Sequence, residues 1–210
     1  MVDNQLRTND VTDHRILDAM EIVPRERFVP ASKRPVAYID EDLPIGATDS
    51  GRVLMKPHIF GKLVQLAEIR DDNIVLVIGA GTGYSAAVIS KLAASVVALE
   101  ENPDLAKTAT EVLVDLGIEN AVVVEGALNK GYASEGPYDV ILVDGAVDIL
   151  PDALGGQLKP DGRLAVIEGQ GGAGAARLYR KSGAAISGRF GFNASARLLP
   201  GFEREAEFVF

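Results

Sequence analysis

Ile74-Val-Leu-Val-Ile-Gly-Ala-Gly-Thr-Gly-Tyr84 holds the strongest local signals in the chain. A run of five apolar residues, rich in β-branched side chains, stops at Gly79. Glycines follow at alternate positions, and Tyr84-Ser-Ala-Ala-Val-Ile-Ser90 then reads as a helix. Branched side chains favour the extended chain, and glycine allows the turn that a side chain would block. The stretch is predicted to be strand, turn and helix, the first unit of a parallel α/β sheet. Gly79, Ala80, Gly81, Gly83 and Tyr84 then lie beyond the carboxyl end of the strand, where open α/β sheets bind ligands.

Spacing separates the possible ligands. A dinucleotide fingerprint needs Gly-x-Gly-x-x-Gly, which would put glycine at position 84, where this chain has Tyr. The alternate-glycine form resembles the S-adenosyl-L-methionine (AdoMet) loop of Rossmann-like methyltransferases. The other reading is tight strand–helix packing with no ligand. One unit further on, Ser95-Val-Val-Ala-Leu99 is a second short strand ending in Glu100-Glu101. Glu100 falls about twenty residues beyond the turn, where an acid in this architecture accepts hydrogen bonds from ribose hydroxyls. Alternatively it is a solvated acid near the helix opened by Asn102-Pro103-Asp104, favoured there by the helix dipole.

Composition narrows the function classes. A chain of 210 residues suits one domain with a substantial core. We divide it into a helical extension over 1–70, within the same domain, and a ligand-binding unit over 71–210. A net charge of −9, with acids spread along the chain, disfavours a nucleic-acid surface, which needs clustered Lys and Arg. With no cysteine there is no thiolate chemistry, and two histidines far apart, His14 and His58, make no metal centre. The polar start, Met1 to Asp10, lacks an apolar signal core, and no apolar run approaches the eighteen or so residues of a membrane span. A cytoplasmic protein with no membrane partner is expected.

Working outward, Ile16, Leu17, Met20 and Val23 recur at helical spacing, with Thr12 or Asp13 as cap. Pro57 to Ile69 is a second amphipathic helix and Pro103 to Leu116 a third, with Pro at its start and Gly117 after it. Asn120 to Glu125, Tyr138 to Ala146 and Gly162 to Glu168 read as further strands. The fourth carries Asp144 into a site-facing end, and the fifth follows the turn Lys159-Pro-Asp-Gly162. Beyond a glycine-rich loop over 169–174, strands are predicted on either side of Ser182-Gly183, and Glu207 to Phe210 is a candidate edge strand.

The N-terminal motifs carry a resemblance. Val23-Pro-Arg-Glu-Arg-Phe-Val-Pro30, Ala37-Tyr-Ile-Asp-Glu-Asp-Leu-Pro-Ile-Gly46 and Lys56-Pro-His58, followed by the glycine loop, are similar in order and spacing to the protein-L-isoaspartate O-methyltransferases. The resemblance covers most of the chain and weakens after about Gly169. It implies a Rossmann-like class I AdoMet-dependent methyltransferase fold, with a doubly wound, mostly parallel sheet and a helical N-terminal extension. It also implies AdoMet as cofactor and, as partner, a protein or peptide bearing isoaspartate, whose abnormal carboxylate is methylated. Carried over by position, His58 lies beside the cofactor, Gly126 and Ala127 near the adenine, and Asp144 near the methionine moiety or the acceptor. Asp144 otherwise caps a helix beginning near Ile149.

The chain departs from the family pattern at several places. Met55 stands where the family has its active-site Ser or Thr, with Leu54, Val53 and Arg52 at its Ile, Thr and Gln. Ala127 replaces an Asp that contacts the adenine amino group, and Val77 an acid under the glycine loop. A thioether cannot donate the hydrogen bond of a hydroxyl. Thr48 and Ser50 are close enough in sequence to supply one, and Lys56 or Arg52 to hold a carboxylate. The simpler reading of all four is as solvated loop residues.

A carboxylate acceptor is already ionised at neutral pH, so transfer to it needs no general base and can rest on proximity and orientation. Two functions follow. The first is carboxyl methylation of isoaspartyl residues. The second is a binding module that keeps the fold without the activity, favoured by the three lost polar groups. Nicotinamide oxidoreduction is a distant third.

Overall fold

The computed structural model describes residues 1–46, 51–169, 173–183 and 185–204. Thr48, Ser50, the centre of the glycine-rich loop and the predicted strand over 207–210 lie outside the described residues.

Among the described residues seven strands form one sheet: β3 (Ile74–Ile78), β4 (Ser95–Glu100), β5 (Ala121–Glu125), β6 (Tyr138–Val147), β7 (Leu158–Glu168), β8 (Ala175–Ser182) and β9 (Ala185–Asn193), ordered β5-β4-β3-β6-β7-β8-β9. β3 to β7 pair in parallel, and β8 and β9 add antiparallel at one end. The order reverses beside β3, the first strand, which puts the glycine turn at the switch point of the sheet. Helices α3 (Tyr84–Ile89), α4 (Pro103–Asp115) and α5 (Asp152–Gly156) connect strands, while α1 (His14–Ile22) and α2 (Pro57–Ala67) belong to the N-terminal extension. This is the doubly wound, mostly parallel architecture of the Rossmann-like methyltransferases.

Successive residues of a strand face opposite ways, and each strand serves two cores. Val75 and Val77 join a cluster with Leu6, Leu17, Phe28, Phe60 and Tyr84. Leu76 and Ile78 join one with Ile141, Val143, Leu164, Leu199 and Phe202. Burial on both faces is why β3 and the centre of β6 read as unbroken apolar runs. The N-terminal extension shares the first core with the sheet. Leu6, in the polar-looking first segment, is fully buried.

Capping follows local rules. The Asp13 side chain accepts from the Arg15 N–H at the start of α1, and that of Asn102 from the Asp104 and Leu105 N–H groups at the start of α4. β6, read through Asp144 to Ala146, ends at Val147; α5 begins at Asp152, so the reading of Asp144 as a helix cap is corrected. β7 begins at Leu158 and absorbs the expected Lys159–Gly162 turn, with a register shift against β6 and Asp161 at φ 62°. Residues 159–162 have no partner in β6, whose pairing passes from Leu158 to Arg163, so the predicted turn persists as a bulge within the strand.

Two small pieces lie over the sheet. β1 (Leu43–Pro44) and β2 (Val53–Leu54) form a two-stranded antiparallel hairpin, which no pattern in the sequence predicted. After β9 the chain returns as a strap: Leu198 bridges to Ala146 in parallel, the Ala146 N–H donates to Arg197 O, and the Leu199 N–H donates to Ala146 O.

Candidate active site

Gly79, Gly81 and Gly83 take φ values of 81°, 57° and 97°, in the left-handed region that favours glycine, and carry the chain from β3 into α3. Tyr84 follows as the first residue of α3. Its ring is packed between Phe28 and Phe60, with centroids 5.4 and 5.5 Å away, and beneath the guanidinium of Arg25 at 4.8 Å. A bulky residue stands at position 84 because the N-terminal extension closes on α3 there. Thr82 is tied to the same layer, its hydroxyl donating to Phe28 O at 2.6 Å.

Glu100, at the end of β4, turns toward the glycine loop and is fully buried. Its carboxylate accepts from the Gly81 N–H at 2.7 Å and from the Glu101 and Asn102 N–H groups at 3.1 Å each. Arg52, from the β1–β2 hairpin, adds a two-pronged ion pair, Nη1 to Oε1 at 2.7 Å and Nη2 to Oε2 at 2.9 Å, and also donates to Gly79 O at 3.0 Å. The expectation of Arg52 as a solvated loop residue or a free carboxylate holder is corrected, since it is only 6% exposed. Reading Glu100 as a solvated acid at a helix start is corrected too.

The remaining candidates are spread around this centre. Asp144 lies on β6, partly buried, and its carboxyl is pushed up to about 6 by burial, with the Ser85 hydroxyl, Arg52 and Arg25 pulling the other way. Arg25 is fully buried; its Nε donates to Ala37 O at 2.8 Å and its Nη2 to Met55 O at 2.7 Å. Burial lowers its affinity for the proton, opposed by Tyr84, Asp144 and Asp42. Met55 is itself buried, and Lys56 precedes α2 with its backbone N–H on Asp42. His58, in the first turn of α2, holds Asp40 through Nδ1 at 2.6 Å. Gly126 and the exposed Ala127 follow β5, and the Gly126 N–H donates to Glu100 O. Among the described residues no group of three or more His, Asp or Glu is placed to hold a metal ion.

The family model for protein-L-isoaspartate(D-aspartate) O-methyltransferase matches residues 1–191. This chain belongs to that family. The protein-L-isoaspartate O-methyltransferase of Koribacter versatilis is 41% identical over 166 residues, 79% of this chain and 73% of the relative. That of Methanoculleus marisnigri is 42% identical over 164 residues, 78% and 73% respectively. A solved protein-L-isoaspartate O-methyltransferase superposes with a TM-score of 0.81 at 28% identity, covering 93% of this chain and 63% of that one. A Plasmodium falciparum structure, described as a beta-aspartate methyltransferase in complex with S-adenosyl-L-homocysteine, gives 0.75 at 19% identity and shares the fold, covering 92% and 94%.

The family uses AdoMet, and the fit of an adenosyl group can be tested on the residues present. In this conformation they do not fit it. Every residue from Val75 to Ser90, the glycine turn included, is buried by the protein itself. A Cβ on Gly79 would lie 2.9 Å from Leu199 Cδ1, one on Gly81 2.7 Å from Ile45 Cδ1, and one on Gly145 2.5 Å from Leu199 Cγ. The cavity left among Asp42, Arg52, Met55, Asp144, Gly145 and Leu199 measures about 10 Å³, room for about one water.

The turn and the acid are legible in the sequence, and what covers them is not. Arg52 carried one usable signal: a cation stands where the resemblance expects Gln, in the hairpin facing a position that requires an acid. Leu199 carried none, because the strap reaches the glycine turn through tertiary pairing alone.

Proposed function

We propose that this protein methylates the abnormal carboxylate of isoaspartyl residues in proteins or peptides. The observation that carries the reading is the family match across residues 1–191, which takes in the N-terminal extension as well as the sheet. The curated relatives bear the enzyme's name, which favours the methyltransferase over a binding module.

On this reading Gly79, Ala80, Gly81, Gly83, Tyr84 and Glu100 form the cofactor side of the site, with Gly126 and Ala127 toward the base. They serve it in a form of the protein in which Arg52 and Leu199 have left the glycine turn. Asp144, Met55 and Lys56 mark the acceptor side. Met55 supplies no hydroxyl, so positioning of the acceptor falls to charge and shape. The carboxylate needs no activation, and the residues present work by orientation and exclusion of water.

The test is transfer of label from methyl-labelled AdoMet to an isoaspartyl peptide, set against the same peptide with ordinary aspartate and against an active family member. Base-labile label confined to the isoaspartyl peptide is the expected result. No transfer beside an active control ends the reading.

A further inference from the structure

Glu100 is saturated. A carboxylate has about four lone-pair sites, and this one receives five donors: the Gly81, Glu101 and Asn102 N–H groups and both Nη atoms of Arg52. No site remains for a sugar hydroxyl while the arginine is in place. The guanidinium is a planar fork that offers two parallel donors to one carboxylate. A ribose offers the same acid two adjacent hydroxyls, so the fork and the sugar compete for the same two oxygens.

The apolar part of the cover lies over the same turn. Leu199 presses on Gly79 and Gly145, and Ile45, on the hairpin that also carries Arg52, presses on Gly81. The strap bearing Leu199 lies beyond residue 191, where the family match ends.

We propose that Arg52 is an internal competitor for the ribose-binding carboxylate and that, with Leu199 laid across the glycine turn, it forms a plug that must withdraw before an adenosyl ligand enters. The inference rests on the family's cofactor. Withdrawal does not strand Glu100, because the three backbone N–H groups stay on it and the sugar takes the place of the guanidinium. The hairpin that would carry Arg52 away pairs Leu43 with Leu54 and Pro44 with Val53, and its Ile45 N–H donates to Arg52 O at 3.0 Å, so Arg52 and Ile45 move as one short piece of sheet.

Calorimetric titration with S-adenosylhomocysteine tests this on the full chain, using wild type, Arg52→Gln and Arg52→Lys, each first shown folded by a cooperative thermal melt. Lysine keeps a cation beside Glu100 but cannot bridge both oxygens, so it covers the case in which the glutamine variant fails to fold. The expected result is at least ten-fold tighter binding in Arg52→Gln than in wild type, with Arg52→Lys between them; if only the lysine variant folds, tighter binding than wild type is expected of it. Equal binding by wild type and the folded variants overturns the plug and leaves the cofactor reading standing. No binding by any of them at millimolar ligand overturns both.

Discussion

Asp144 faces the centre of the site on β6, and its raised pKa has a definite sign in stability. The carboxyl titrates near 6 in the folded protein and near 4 in an unfolded chain. Between those values the folded state holds the proton and the unfolded state has lost it, so stability falls as pH rises from about 4 to about 6 and is level above that. Asp144→Asn is expected to match wild type at pH 4 and exceed it by about 2 kcal/mol at pH 8, read from urea midpoints at the two pH values. Glu100 predicts the opposite kind of change. Glu100→Ala leaves the Arg52 guanidinium buried beside Gly79 O with its counter-charge gone, and a loss of about 3–5 kcal/mol is expected in the same assay. The sequence placed Glu100 at the right spot from its distance to the glycine turn. It could not give the partner, because Arg52 is 48 residues away in the chain and meets Glu100 only once the hairpin closes on the sheet.

At the scale of elements, what was legible is what local physics fixes. The apolar runs of β3, β4 and β6 and the Pro-led starts of α2 and α4 could be read because each signal lies within the element itself. The cap of α4 is a measurable case: Asn102→Ala is expected to lower stability by about 1 kcal/mol, seen in chemical denaturation. The β1–β2 hairpin and the packing of the strap were not legible, since both depend on partners elsewhere in the chain. Gly145 reports the strap directly. A Cβ there meets Leu199 Cγ at 2.5 Å, so Gly145→Ala is expected to cost about 1–3 kcal/mol by overpacking. In a Leu199→Ala background the same substitution is expected to cost much less. A double-mutant cycle measures the coupling, and strict additivity would show that the strap does not lie where the structure puts it.

For the whole molecule, the net charge of −9 is the property that acts at a distance. A field of one sign speeds the approach of oppositely charged ligands and fades as salt screens it. Among isoaspartyl peptides of equal length, lysine-rich ones are expected to show the higher kcat/KM at low ionic strength, and the advantage over acidic ones is expected to shrink several-fold by 0.5 M salt. Initial rates across a salt series check this. No helix among the described residues is long and apolar enough to cross a membrane.

The strap has one more consequence, in the order of the chain. The parallel strands β3 to β7 precede Leu199, and the bridge between Ala146 and Leu198 needs the segment after β9. The leucine that covers the glycine turn is therefore supplied by a segment that follows all seven described strands of the sheet, and a chain cut after β9 is expected to keep the turn without that cover.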